Sequence, residues 1–178
     1  MLKNTKDQFG TIAKVLHWLI GLTIIGLIGL GAWMVTLDYY DAWYHDGLSL
    51  HKAVGMVVLA VVFFKLVWLW ITPEPDQLPT LTWWERAGAA AVHKALIGLM
   101  VLMPLTGFLV STSEGAGVSV FGLFEVPAVL VAGAKFRDLA IAIHFYLAYG
   151  GAALIVLHVV AALKHHFFNK DRTLRRML

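Results

Sequence analysis

The chain has 178 residues, 60% of them hydrophobic and only 14% charged, against roughly 45–50% and about 25% for a soluble domain. With a mean hydropathy of +0.76 it is a membrane protein of one domain rather than a water-soluble globule. The formal charge of +3 is modest and matters only through its placement, so no nucleic-acid partner is expected; the absence of cysteine excludes disulfides, thiolate metal sites and iron–sulfur clusters.

About 20 mostly apolar residues cross a hydrocarbon core. Residues 15–37 form the first such run, unbroken by charge. This run is longer than the 7–15-residue apolar core of a cleaved signal and no A-x-A-like site follows it, so it reads as a retained span. Residues 38–50 are short, acidic and aromatic, which suits an interfacial belt. The second span, 51–71, carries Lys65 towards its end. Residues 72–86 hold Pro73, Pro75 and Pro79 and then Trp83-Trp84, a stiff loop with its own anchors. The third span, 92–110, starts near Lys94 and contains Pro104-Leu105-Thr106-Gly107, where a kink is expected. In the long connection 111–140, the apolar stretch 118–134 is interrupted by Gly122, Pro127 and Gly133; too broken to span, it is expected to cap the bundle's end. Residues 141–163 are the fourth span. The whole chain, 1–178, reads as a single all-α domain, an integral membrane four-helix bundle.

Cation placement orients it. With the N-terminus inside, the inner side holds eleven Lys and Arg residues (Lys3, Lys6, Lys14, Lys65, Arg86, Lys94, Lys164, Lys170, Arg172, Arg175 and Arg176). The outer side holds three: Lys52, Lys135 and Arg137. Both termini are therefore expected in the cytoplasm of a cell whose inner membrane the chain crosses four times.

Ionisable residues inside a span point to function, because hydrocarbon penalises them. His144 and His158 share the fourth helix 14 residues apart, which is about 21 Å along the axis and about 40° short of four full turns. One helix thus offers two imidazoles in nearly the same direction, one near each membrane face. The first helix runs outward, which puts His17 level with His158; the second runs inward, which puts His51 level with His144. Two imidazoles on opposite sides of a haem iron close its axial positions and favour electron transfer over oxygen binding. With no cysteine for C-x-x-C-H attachment, such a haem is held by coordination and packing alone. The competing reading is interhelical hydrogen bonding or a proton relay. Zinc is disfavoured: each level offers two His and no carboxylate.

These segments resemble the bacterial cytochrome b561 family, the four-helix di-haem cytochromes of the inner membrane. The matching stretches are Val15-Leu16-His17-Trp18-Leu19, Leu50-His51-Lys52-Ala53-Val54-Gly55, Pro104-Leu105-Thr106-Gly107, and the tail Ala161-Ala162-Leu163-Lys164-His165-His166-Phe167 with Asp171-Arg172-Thr173-Leu174-Arg175-Arg176-Met177. The resemblance covers essentially the whole chain. It implies two haem b groups with His17, His51, His144 and His158 as axial ligands to iron, and a quinone partner such as ubiquinone. Some members of that family oxidise superoxide and reduce ubiquinone; more distant ones anchor hydrogenases or formate dehydrogenases.

The other polar groups carry two readings each. His93, at the inner start of the third span, either contacts a haem propionate or quinone carbonyl or simply caps. His165, seven residues beyond His158 and about 20° short of two turns from it, is either a quinone contact or an interfacial side chain. Lys52, Lys135 and Arg137 either pair with haem propionates, the favoured reading, or focus a small anion such as superoxide; six acids on the same side temper the second. The inner cations at 164–176 suit lipid headgroups. Gly21, Gly26, Gly29 and Gly31 are read first as helix-packing residues. The expected function is electron transfer across the inner membrane between quinone and a periplasmic donor or acceptor. Two readings compete with it: a haem-b anchor relaying electrons for a larger respiratory enzyme, and a haem-free transporter or proton relay. The direction of electron flow, and whether the isolated chain is an enzyme, stay open.

Overall fold

The computed structural model describes residues 1–178. Four long helices carry the fold: α1 Thr11–Met34, α2 Tyr44–Ile71, α3 Trp83–Thr112 and α4 Ala134–Lys164. All four are long and apolar enough to cross a membrane. In chain order α1 packs along α2, α2 along α3 and α3 along α4, the up-and-down order of a four-helix bundle.

The helices begin outside the apolar runs because a helix does not stop where the hydrocarbon does. α2 starts with the polar turn Tyr44-His45-Asp46. α3 starts at a capping box: the Glu85 N–H donates to the Thr82 hydroxyl at 3.4 Å, and the Thr82 N–H donates to the Glu85 carboxylate at 2.9 Å, satisfying donors that a helix end leaves free. The first span was expected to reach residue 37, but α1 ends at Met34. There the Thr36 hydroxyl donates to the Trp33 carbonyl at 2.7 Å and the Thr36 and Leu37 N–H groups fold into i→i+3 bonds, so a local side-chain bond competes with the helical ladder. Helix α3 continues through Pro104, whose ring nitrogen has no hydrogen to give the Met100 carbonyl.

The core is a seam of Leu16, Ile20 and Ile24 from α1, Val58, Val62 and Trp68 from α2, and Met100 from α3. The i, i+4 spacing of the α1 and early α2 members puts each set on one helix face. In lipid such seams are held by close packing rather than by transfer from water.

The connection after α3 does form a cap, and it contains a small hairpin. Strands β1 Val118–Val120 and β2 Phe124–Val126 pair antiparallel with Val118 opposite Val126. Phe121 and Gly122 at the turn both have positive φ, 53° and 72°, the conformation a tight hairpin demands. Val118 and Val120 are buried, and β1 lies against α2. The fully buried Ser113 anchors the far side of the loop, its carbonyl accepting the N–H groups of Ala132 and Gly133, both at 3.0 Å.

The opposite end of the bundle gathers both termini. The Trp18 indole donates to the Met177 carbonyl at 2.9 Å and the Lys14 ammonium to the Leu178 carbonyl. The Asn4 amide donates to the Pro73 carbonyl at 3.1 Å, and the Asp76 N–H to the Lys6 carbonyl at 2.8 Å. Beyond α4 the chain makes one π-helical turn, His165–Asn169, closes at Lys170 in the left-handed region (φ 55°), and adds a 3-10 turn at Leu174–Arg176.

Candidate functional site

The helices bring the four span histidines together in two couples. The rings of His17 and His158 lie 6.0 Å apart, centre to centre, near the end that holds the termini. Those of His51 and His144 lie 6.2 Å apart near the hairpin end. A metal–imidazole bond is about 2 Å and its nitrogen stands about 1 Å from the ring centre, so two imidazoles on opposite sides of one metal have centres about 6 Å apart. Both couples match that spacing. No group of three or more His, Cys, Asp or Glu side chains converges as a bare metal ion would need.

The surroundings of the rings fit a flat metal-centred group. The Nδ1 atom of His51 is buried without a hydrogen-bond partner in the chain, which leaves that ring free of any competing bond that would hold it away from a bound group. A Cβ added at Gly31 would stand 3.4 Å from His51 Cε1, and one at Gly107 would stand 3.1 Å from His144 Cε1. Both glycines thus leave the rings room beside a neighbouring helix. The Thr106 hydroxyl oxygen lies 3.0 Å from His144 Nδ1. A Cβ at Gly21, Gly26 or Gly29 would meet no neighbouring helix within 4 Å, so these three do not set a close approach between helices of this chain.

His93 joins the His17–His158 couple: its ring centre is 5.4 Å from that of His158, giving three imidazoles at one level. His165 does not reach that level. Its Nδ1 is 2.7 Å from the Asp171 carboxylate and 3.1 Å from the Asn169 amide, both supplied by the chain's turn after α4. Burial alone pushes the Asp171 carboxyl up, but the Thr173 N–H, 2.8 Å away, and the His165 ring carry it below the ordinary carboxylate value. Lys164 likewise has a partner in the protein: its ammonium contacts Glu85 Oε1 at 2.5 Å and lies 5.4 Å from the Trp84 ring centre.

At the hairpin end, Arg137 is held by Glu114 at 2.5 Å and Asp138 at 3.4 Å. It thus has carboxylate partners within the chain, which charge counting alone had not paired with it. Lys135 is exposed and Lys52, beside His51, is half-buried.

Two participants escaped sequence reasoning. Thr106 stood out only as part of a kink motif, since nothing in its spacing ties it to a histidine 38 residues away. Glu85, which joins α3 to Lys164 and to the Asn169 amide at 3.3 Å, was detectable as the fourth residue of a Thr82-x-x-Glu85 capping signature.

The family model for prokaryotic cytochrome b561 matches residues 8–178. "Cytochrome b561 homolog 2" of Escherichia coli K12 is 43% identical over 175 residues, spanning 98% of this chain and 93% of that protein. "Cytochrome b561 homolog 1" of the same organism is 30% identical, over 97% of each chain. "Probable superoxide oxidase CybB" of Yersinia pestis is 27% identical, over 92% of this chain and 91% of that one.

Proposed function

Since this chain belongs to the prokaryotic cytochrome b561 family, a family of multi-pass inner-membrane haem b proteins that transfer electrons, we propose that it holds two haems and carries electrons between the periplasmic face and membrane quinone. His17 and His158 would hold one haem on the cytoplasmic side; His51 and His144 would hold the other on the periplasmic side. The carrying observation is the double couple itself: two imidazole pairs at 6.0 and 6.2 Å, strung along one helix 14 residues apart. Haem, when bound, supplies reversible one-electron chemistry; the chain supplies neutral ligands, helix spacing and a dry surrounding.

The cation bias puts the end with both termini in the cytoplasm. His93 stands beside the cytoplasmic couple and serves as a hydrogen-bond donor to quinone or propionate. His165, tied to Asp171, serves the same quinone as a proton carrier at the membrane surface. On the periplasmic side Lys52 and Lys135 would be available to pair with haem propionates or with an anionic electron donor. A donor such as superoxide, suggested by the name of the Yersinia pestis relative, would meet Lys52 and Lys135 rather than Arg137, whose charge is shared with Glu114 and Asp138.

The test is a haem assay and redox difference spectrum on purified protein. Two low-spin haems per chain are expected, falling to one in His51→Ala and in His144→Ala. A colourless wild-type protein defeats the proposal. Turnover of superoxide with a ubiquinone analogue by the isolated chain identifies the donor; activity only alongside a co-purifying enzyme makes it an anchor.

A further inference from the structure

Among the four span imidazoles, only His144 has hydrogen-bonding groups of the chain at its ring: the Met103 carbonyl nearby and the Thr106 hydroxyl, whose own hydrogen is already committed. Thr106 Oγ1 lies 2.8 Å from the Leu102 carbonyl oxygen and 2.9 Å from that of Met103, as well as 3.0 Å from His144 Nδ1. The residue is buried, 8% exposed. A hydroxyl has one hydrogen and two lone pairs, and carbonyl oxygens can only accept. Were the hydrogen turned to His144, two oxygen–oxygen contacts of 2.8 and 2.9 Å would stand unbridged and mutually repulsive in a buried place. The hydrogen therefore goes to the carbonyls, and the Thr106 oxygen accepts from the ring.

We infer that Thr106 is a positioning residue for His144: it takes the Nδ1 hydrogen, fixes the tautomer that leaves Nε2 bare, and makes that ring a stronger electron donor to whatever metal Nε2 binds. Helix α3 is shaped for this contact at the next residue also, since Gly107 lets the ring lie against the backbone where a Cβ would stand 3.1 Å from Cε1. The other three imidazoles lack such an acceptor; His51 Nδ1, the partner across the same site, is buried and unpaired. An acceptor on the far nitrogen of a metal-bound histidine orients the ring and raises its basicity. That stabilises the more positive oxidation state, so Thr106 lowers the midpoint potential of the periplasmic site specifically. The inference rests on the proposed haem ligation and deepens it at one ring.

The experiment is a potentiometric titration of the purified full chain, followed by low-spin optical and EPR signals, for wild type, Thr106→Val and Thr106→Ser. Valine keeps the volume and removes the acceptor; serine keeps the hydroxyl. The expected result is that one of two one-electron components moves upward in Thr106→Val, by about tenfold in its equilibrium constant, about 59 mV. The other component should stay in place, and Thr106→Ser should remain near wild type. Loss of the periplasmic signal in the valine variant with its retention in the serine variant supports the same assignment. Two unmoved components in Thr106→Val overturn it. So does equal disturbance by valine and serine, which would make Thr106 a packing residue. If wild type binds no haem, the ligation beneath it has failed instead, and the three proteins separate the two outcomes.

Discussion

A single missing methyl sets how closely His144 approaches α3. The 3.1 Å that a Cβ at Gly107 would leave to Cε1 is tight enough that the ring must give by a few tenths of an ångström, which moves it against Thr106. On the proposed two-haem ligation, Gly107→Ala should therefore broaden or shift the low-spin signal of one haem while sparing the other, read by EPR of the purified protein. The same residue scale shows what was legible. His17, His51, His144 and His158 could be chosen from spacing alone, because a helix has a fixed rise and rotation and a span has a fixed direction. Thr106 could not, because its bond crosses between helices and depends on their relative rotation. Arg137 was visible as a cation but its carboxylate partners were not, since Glu114 lies 23 positions earlier, at the far end of a connection whose path is set by the hairpin and Ser113. Asp171 adds a pH-dependent term. Its folded carboxyl titrates below the ordinary value, so the unfolded tail takes up the proton first as pH falls. Docking of the tail is therefore fully supported above the ordinary carboxylate range and weakens as acid titrates the folded group. Amide exchange across 165–171 should accelerate on acidification beyond the intrinsic trend, and Asp171→Asn should flatten that excess.

At the scale of elements, α3 is fastened at its start by its capping box and along its length by α4. Thr82→Ala removes the side-chain acceptor for Glu85 N–H and should lower stability by about 1 kcal/mol, measured as a lower Tm in detergent. Glu85→Ala should do more than unseat the cap, because it also releases Lys164 and Asn169; faster exchange in both 83–86 and 165–171 is the expected sign. Further along, Gly151 is where α4 touches Leu99, whose Cδ2 would stand 2.6 Å from an added Cβ. Gly151→Leu should push the helices apart at a cost of about 1–3 kcal/mol, with a matching drop in Tm. The helices themselves were readable from their apolar runs, but their ends were not. Caps, i→i+3 turns and the π turn after Lys164 are decided by single side chains and by what the chain meets next, whereas hydropathy reports only where lipid is. The hairpin at 118–126 was masked for the same reason: its valines face protein, so they read as one more apolar stretch.

For the whole molecule, the two ends are chemically unlike. One end has four bonded connections among residues 1–18, 73–76 and 177–178; the other has the hairpin cap. Fusion of alkaline phosphatase after residue 178 should be inactive, and insertion in the 121–123 turn should be active, if the first end faces the cytoplasm. Reversed activities would overturn the orientation. The even number of crossings, read from the apolar runs, already implied that both termini share one end, as they do in the structure. What sequence could not give was the sideways arrangement, which decides that His93 joins His158 while His165 turns to Asp171.

The sharing of α4 by both couples has a genetic corollary. His144 and His158 ride on one rigid rod of 31 residues, whereas His17 and His51 belong to separate helices. If each couple holds a haem as proposed, a lesion that slides or rolls that rod is felt by both centres together; one in α1 or α2 stays private to its own. Random mutagenesis scored by the two absorbance bands should sort into that pattern, with joint defects clustering between residues 144 and 158 and single defects elsewhere.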